Sequence, residues 1–134
     1  MPAEGVFHNL VIVSIKKEYP GQAQKVVCGL LGMGQLMFAK NVVVVDADVD
    51  VQDLSEVAWR VANNIDPRRD ITLLDGPLDA LDHSASLPYV GSKMGIDATR
   101  KGPGDGFQRE WPQDITMSTE IRALVDEKWF SLGI

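Results

Sequence analysis

The chain has 134 residues, the size of one domain, and its hydrophobic fraction of 45% is ordinary for a water-soluble globular protein. Its net charge of −6 argues against a nucleic-acid-binding surface, for which a clustered basic excess would be expected. No apolar run approaches the roughly 20 residues that span a bilayer, and the N-terminus lacks the pattern of a signal peptide, so we expect a cytoplasmic protein.

Residues 7–15 predict the first strand, since their centre is a continuous apolar run rich in β-branched side chains. An amphipathic helix follows, with Gly32 and Gly34 favouring a left-handed end. Its apolar residues recur at helical spacing and are Ala23, Val26, Val27, Leu30 and Leu31. The single cysteine, Cys28, excludes an internal disulfide and a multi-cysteine metal site. We predict that it lies on the apolar face of the helix as a buried, inert thiol.

Residues 41–50, NVVVVDADVD, predict the central strand of the domain. The four consecutive valines 42–45 are too short a run for a buried helix, and their apolar character does not alternate, so both faces of the strand should be covered. That pattern is typical of a parallel sheet flanked by helices. Asp46, Asp48 and Asp50 follow at the edge of the sheet where ligands of open α/β folds usually bind.

A second helix is predicted to begin at Asp53, with Glu56 in a capping-box position, and to end at Asp66-Pro67. Residues 71–74 predict a third short strand. The resulting β-α-β-α-β order, with right-handed crossovers, predicts a layered α/β domain with a mainly parallel sheet over residues 1–75.

The rest of the chain divides into an irregular segment, residues 76–116, and a C-terminal helix within residues 117–134. Irregular segments of forty residues are uncommon inside a compact domain, so this one should need another surface to lie on. Ser118 is a candidate cap for the helix. Its apolar face is predicted to contain Ile121, Leu124, Val125, Trp129 and Leu132. Trp129 and Phe130, adjacent on the helix, cannot easily share one intramolecular face, which indicates an association surface and a homodimer.

Asp46 and Asp48 are the candidate site residues, with two interpretations. Two carboxylates after an apolar strand resemble the loop of haloacid-dehalogenase-like phosphatases, where they would share a Mg²⁺ ion and position a phosphate. Asp50 stands where that loop has Thr or Val. In the other interpretation, the carboxylates only end the strand and are solvated by water in the turn before the Asp53 cap.

Four basic residues, Lys93, Arg100, Lys101 and Arg109, gather in the glycine-rich stretch and either meet an anionic group or belong to a solvated or interface loop. Residues 101–106 superficially resemble a phosphate-binding loop. They follow no predicted strand, open no helix and lack the GK[ST] ending, so that mechanism is not expected.

The C-terminal region of the UbiD family closely resembles this chain in four segments: FHNLVIVSIKKEYPGQAQKV, FAKNVVVVDADVDVQDLSEVAWRVANNIDPRRD, GSKMGIDATRK and QREWP. UbiD enzymes are carboxy-lyases that use prenylated FMN to decarboxylate, or reversibly carboxylate, aromatic and unsaturated acids. The resemblance covers roughly residues 6–133, and GSKMGIDAT and IDPRRD are its most specific parts.

The resemblance implies that the prenylated-FMN site, its divalent metal and the catalytic Glu–Arg–Glu residues lie upstream, in domains outside this chain. It therefore implies no catalytic, cofactor-binding or metal-binding residue here. Family members have a lysine or arginine before the central strand that approaches the cofactor phosphate. This chain has Gly34-Gln35 at that place, and Lys40 is the nearest basic residue.

The function implied is an assembly and support domain of a UbiD-like carboxy-lyase, either excised from a longer chain or present as a separate small subunit. Its expected partners are the upstream catalytic domains and a second copy of itself. The alternatives are a small Mg²⁺-dependent phosphatase or phosphate-binding protein that uses Asp46 and Asp48, and an interaction module that regulates another enzyme.

Overall fold

The structure, a computed structural model, describes residues 9–131, apart from the side chain of Phe130. Four strands are present in this range: β1 (Leu10–Ile15), β2 (Asn41–Asp46), β3 (Ile71–Pro77) and β4 (Val90–Asp97). The α-helices are α1 (Gln22–Leu31), α2 (Leu54–Asn64), α3 (Pro67–Asp70) and α4 (Thr119–Lys128). Short 3₁₀ turns occur at Gly34–Phe38, Pro103–Asp105 and Trp129–Ser131. The predicted start of the first strand at residues 7 and 8, the ring of Phe130 and the predicted helical position of Leu132 lie outside the described part.

The four strands form one sheet in the order β1-β2-β4-β3. β1 pairs with β2 in parallel, with Val11 opposite Val42, and β2 pairs in parallel with β4, with Val42 opposite Gly95. β3 lies at the edge and runs antiparallel to β4. The predicted layered α/β fold with a mainly parallel sheet is therefore confirmed.

The valine run of β2 lies between two hydrophobic clusters, as expected for a central strand. Val42 and Val44 pack with residues of α1, including Val27, on one face of the sheet. Val43 and Val45 pack on the other face, in the cluster that contains Val57 of α2. All four valines are buried. An uninterrupted apolar run is needed here because neither face of the strand meets water.

The predicted position of the third strand was wrong in one respect. The strand that pairs with β2 is β4, inside the segment predicted to be irregular, and β3 is displaced to the edge. β4 was missed because Gly91, Lys93 and Gly95 interrupt its apolar pattern. Gly95 lies directly against Val27, so a β-carbon there would come within 2.3 Å of a Val27 methyl group. Lys93 is buried and donates to the carbonyl oxygens of Met37 and Ala39.

The ends of α1 and α2 follow the predictions in part. The Asp53 carboxylate accepts hydrogen bonds from Ser55 N and Glu56 N at 2.9 and 3.1 Å, as predicted for the cap of α2. Of the two glycines predicted to end α1, Gly34 has a left-handed backbone, with φ 52°, whereas Gly32 has φ −101°.

Cys28 is exposed, so its predicted burial was wrong. Val27 is the residue of this turn that faces the sheet. A neighbour one position along the helix points about 100° away from it.

The C-terminal helix α4 begins at the predicted cap, where Ser118 Oγ accepts from Ile121 N. Every residue of α4 is exposed except Val125, which is half-buried. Most of this helix is therefore not covered by the described part of the domain. No helix among the described residues is long and apolar enough to cross a membrane.

Candidate functional site

Asp46 and Asp48, at the end of β2, meet Arg100, which follows β4. The Arg100 backbone N–H donates to Asp46 Oδ2 at 2.8 Å. The Arg100 guanidinium makes a two-pronged contact with Asp48, at 3.0 and 2.7 Å. The two candidate carboxylates are thus brought to one place, but Arg100 already occupies them, Asp46 through its backbone N–H and Asp48 through its side chain.

Asp114 extends this ion-pair network to α2. It accepts from Arg100 Nη2 at 2.7 Å and from both terminal nitrogens of Arg60 at 3.0 Å. Arg60, on α2, is buried and also contacts Glu56 one helical turn earlier, at 3.3 Å. We call residues 107–117, which lie across this end of the domain, the strap. The network fastens the strap to α2 and to the end of the sheet.

The pKa values in the network follow its geometry. Hydrogen bonding to Arg60 and Arg100 holds the pKa of Asp114 below its ordinary value. Arg100 likewise lowers the pKa of Asp48, and Asp48 in turn raises the pKa of Arg100. Burial raises the pKa of Asp46 despite its bond to the Arg100 backbone. The charges of Asp48, Asp114 and Arg100 therefore stabilise one another, whereas burial disfavours the charged form of Asp46.

A buried lysine, Lys101, holds the loop between β4 and the strap in place. Lys101 Nζ donates to Thr99 O at 2.6 Å and to Asp97 Oδ1 at 3.1 Å, and it lies 3.8 Å from Asp70 Oδ1. Burial lowers the pKa of Lys101, because the charged ammonium is removed from water. Lys17 adds a 2.9 Å ion pair with Asp105. Ion pairs within the glycine-rich loop and with Lys17 therefore hold it in place.

The predicted basic cluster is consequently not assembled as a unit. Lys93 and Lys101 are buried and bound to carbonyl oxygens, and Arg100 is paired with Asp48 and Asp114. Arg109 is exposed on the strap.

A cleft of about 890 Å³ lies between the strap and α2. Aromatic side chains contribute to its lining from both sides, with Trp59 on α2 and Phe107 and Trp111 on the strap. Arg60 and Arg69 border the same space, stacked over the rings of Trp59 and Phe107 at 4.9 and 5.8 Å. We call this space the α2–strap cleft. Its lining combines these aromatic side chains with both acidic and basic groups.

Two observations bear on the metal ion and the flavin phosphate of the family. Among them, no group of three or more His, Cys, Asp or Glu side chains is arranged to hold a metal. Lys40, the basic residue nearest to the place where family members approach the cofactor phosphate, is already paired with Asp82 at 3.0 Å and donates to Ser84 Oγ.

Sequence reasoning found Asp46 and Asp48 but missed their pairing with Arg100 and the Arg60–Asp114 pair that extends the network. Arg60 and Asp114 are separated by 54 residues, and no local pattern connects them. The one available signal was Arg60 itself, a charged residue on the stripe of α2 that also carries Val57. A buried charge usually implies a partner.

The chain is similar over almost its whole length to part of longer proteins. An uncharacterized protein of Aquifex aeolicus is 51% identical over 134 residues, and one of Archaeoglobus fulgidus is 52% identical over 130 residues. These matches cover 100% and 96% of this chain but 28% and 27% of the relatives. The chain therefore spans little more than a quarter of the length of the curated relatives it matches.

Solved decarboxylases share the fold. The closed form of vanillic acid decarboxylase from Sedimentibacter hydroxybenzoicus matches with a TM-score of 0.77 and 32% identity, over 89% of this chain and 26% of that one. The UbiD-class enzyme HmfF from Pelotomaculum thermopropionicum, solved in complex with FMN, matches with a TM-score of 0.62 and 34% identity, over 75% of this chain and 23% of that one.

The comparison with protein-family models agrees with the longer relatives and with the solved decarboxylases. The sequence model of the 3-octaprenyl-4-hydroxybenzoate carboxy-lyase C-terminal domain matches residues 1–98, which include every strand of the sheet. This match covers well over half of the chain, and the chain therefore belongs to the UbiD C-terminal domain family.

Proposed function

We propose that this chain is the C-terminal assembly and support domain of a UbiD-like carboxy-lyase that acts on aromatic or unsaturated carboxylic acids in the cytoplasm. The observation that carries the proposal is the match of nearly the whole chain to about a quarter of a vanillic acid decarboxylase. The remaining three quarters of such an enzyme are the natural partner. We place prenylated FMN and the divalent metal there, in line with the complexes of HmfF with FMN and prFMN.

The arrangement of charges favours a structural role for this chain, without a complete active site of its own. Asp46 and Asp48 are engaged by Arg100, and Lys40 is engaged by Asp82. A Mg²⁺ ion at the carboxylates would have to displace a two-pronged arginine contact. The geometry therefore favours the structural interpretation of Asp46 and Asp48 over the phosphatase alternative.

The exposed apolar residues near the C-terminus support the assembly role. Five large side chains of the strap and the following helical residues are about half exposed or more, and these are Ile115, Met117, Ile121, Leu124 and Trp129. Large apolar side chains exposed in one short segment are consistent with an interaction site. We infer that the segment packs on another surface, in the isolated chain a second copy related by two-fold symmetry.

A segment exchange tests the enzymatic part of the proposal. The matching segment of the Sedimentibacter vanillic acid decarboxylase is replaced by this chain, and CO₂ release from vanillic acid is compared with a variant that lacks the segment. We expect release well above the deletion variant. The chain alone, supplied with prenylated FMN, should release no CO₂ above a heat-treated control.

Two outcomes would contradict the proposal. Turnover by the chain alone would show that it has an active site of its own. An exchanged enzyme as inactive as the deletion variant, although folded by circular dichroism, would show that the chain does not support catalysis.

A further inference from the structure

We propose that Arg60 and Arg100 form a binding site for the carboxylate of an aromatic acid, and that the strap fills this site with its own carboxylate, Asp114. A free acid would then compete with Asp114 and release the strap. We call the two arginines the clamp. The inference goes beyond the proposed function and rests on it for one point, the choice of aromatic acids as the class of ligand.

The clamp holds one carboxylate with three hydrogen bonds. The Asp114 oxygens accept from the two terminal nitrogens of Arg60 at 3.0 Å each, and Oδ2 also accepts from Arg100 Nη2 at 2.7 Å. This two-pronged contact is the geometry in which arginine recognises carboxylates. Arg60 is also bonded to Glu56 at 3.3 Å. Arg100 is bonded to Asp48 at 3.0 and 2.7 Å, so groups outside the strap help to orient both arginines.

The acidic residues around the clamp do not prevent it from holding a further carboxylate. Glu56 on α2 is engaged by Arg60, and Asp48 at the end of β2 is engaged by Arg100. Asp114 keeps its charge beside them, because hydrogen bonding to Arg60 holds the pKa of this carboxyl below its ordinary value. The place between the arginines therefore favours a carboxylate over a neutral group.

The strap depends on Asp114 for its polar attachment to the domain. Among the described residues, no backbone hydrogen bond joins residues 108–117 to the rest of the chain, and Asp114 makes all of their side-chain hydrogen bonds to it. Every residue of this range is exposed except Trp111, which is half-buried. A carboxylate that replaces Asp114 in the clamp would therefore free the strap.

The α2–strap cleft would receive the ring of the acid. Arg60 and Asp114 line the cleft together with Trp59, Phe107 and Trp111, and its volume of about 890 Å³ is in the range of small-molecule sites. A ring whose carboxylate lies in the clamp would pack against these aromatic side chains. Arg60 Nε is buried and has no hydrogen-bond partner in the described part of the chain, so it would donate to a ring hydroxyl or methoxy oxygen.

Competition with a tethered group sets the expected affinity. Asp114 is joined to the fixed glycine-rich loop by a short stretch of chain, and a short flexible tether gives an effective concentration on the order of millimolar. A free acid must reach a comparable concentration to displace it. We therefore expect weak binding to the unmodified chain and tighter binding once Asp114 is removed.

Titration of the full chain with benzoate, followed by the indole NMR signals of its three tryptophans, tests the site. Asp114→Ala should bind benzoate at least about tenfold more tightly than the unmodified chain, because its clamp is vacant. Glu110→Ala is the matched control, since it also removes one carboxylate from the strap. Glu110 is not a partner of Arg60 or Arg100 in the described structure, so this variant should bind benzoate like the unmodified chain.

Further ligands and variants separate the carboxylate from the ring. Benzamide, which is neutral, should bind Asp114→Ala at least about tenfold more weakly than benzoate, and acetate, which lacks the ring, should also bind more weakly. Adding Arg60→Lys should lower the benzoate affinity of Asp114→Ala about tenfold, because lysine keeps the charge but cannot make the two-pronged contact. Adding Arg100→Gln should lower it as well, and this change leaves the buried side of α2 untouched.

Release of the strap is measured separately, by ¹⁵N relaxation of residues 108–117. In the unmodified chain, saturating benzoate should lower the order parameters of this range to the values found in Asp114→Ala without ligand. The order parameters of β2 and α2 should not change, since the sheet and its helix stay folded.

The inference is overturned if benzoate binds Asp114→Ala no more tightly than the unmodified chain, or if benzamide binds as well as benzoate. It is also overturned if neither arginine change weakens binding, or if saturating benzoate leaves the strap ordered. An exchanged decarboxylase that releases CO₂ while benzoate fails to bind would remove this inference alone. An inactive exchanged enzyme whose clamp still binds benzoate would remove only the proposed function.

Discussion

Gly95 provides the sharpest test of how the helices are packed on the sheet. It lies on β4 directly under α1, and a β-carbon built on it would be 2.3, 3.0 and 3.1 Å from the three side-chain carbons of Val27. Carbon atoms in contact normally lie about 3.5–4.0 Å apart. Rotation of the valine cannot relieve the overlap because all three carbons are too close. α1 would therefore have to move away by more than 1 Å.

We expect Gly95→Ala to lower the free energy of unfolding by about 3 kcal/mol, at the upper end of the cost of overpacking a core. Val27→Ala alone should cost about 2 kcal/mol, as expected for removal of buried methyl groups. Because the added methyl group fills the space that the valine vacates, the double variant should lose only about 2 kcal/mol in total. The coupling between the two sites would then be about 3 kcal/mol.

Urea unfolding followed by circular dichroism measures these values, with all proteins at one concentration, since association changes the apparent stability. Gly29→Ala is the matched control. Gly29 also belongs to α1, but a β-carbon there meets nothing within 4 Å. This control should gain about 0.5–1 kcal/mol from improved helix propensity. Gly95→Ala within 0.5 kcal/mol of the unmodified chain, or additive single changes, would refute the close approach of α1 to β4.

Three further predictions concern the strap, the carboxylates and the cysteine. The lowered pKa of Asp114 means that its ion pairs contribute stability above about pH 4 and lose it as the pH falls through the folded pKa. Asp114→Asn should remove this pH dependence and lower the free energy of unfolding by about 1 kcal/mol at pH 7, whereas the control Glu110→Gln should do neither. If Asp114→Asn leaves the loss of stability at acid pH unchanged in denaturation curves, the strap contacts are contradicted. Calorimetry should find no Mg²⁺ binding tighter than millimolar, with or without Asp46→Asn and Asp48→Asn, and a micromolar site lost in the double variant would favour the phosphatase alternative. Cys28 should react with a disulfide reagent in the native chain nearly as fast as in urea, because its side chain is exposed, and native protection beyond tenfold would disprove that exposure.

Much of the fold could be predicted from local patterns. The valine run of β2 specified a strand covered on both faces, and Asp53 specified where α2 begins, because each feature depends on residues close together in the chain. β4 could not be found in this way. Its glycines are explained by the approach of α1 and its lysine by carbonyl oxygens near residue 38, and both partners are distant in sequence.

The candidate site shows the same division. The sequence placed Asp46 and Asp48 together at the end of a strand, and the structure agrees. Whether they bind a metal or an arginine depended on Arg100, which is brought there only by the pairing of β4 with β2. The family resemblance identified the family correctly, but it carried no information about ion pairs such as Arg60–Asp114.

The position of β4 also divides the sheet into two parts that are expected to form separately during folding. β1, α1 and β2 form one local unit, while β3 and β4 form an antiparallel hairpin that pairs from Ile71 to Pro77. Within the described sheet, the two units are joined where residues 41–44 pair with residues 94–97. Strand pairs so distant in sequence close a large loop, so their pairing is expected to form late in folding.

This seam should also be where the native sheet opens first. It is closed at one end by the hydrogen bond from Met94 N to Lys40 O and at the other by that from Arg100 N to Asp46. Native-state hydrogen exchange would then show the hairpin opening as a unit, with its own cross-strand amides still protected. The carboxylates that resemble a catalytic pair would thus serve to hold the two halves of the sheet together.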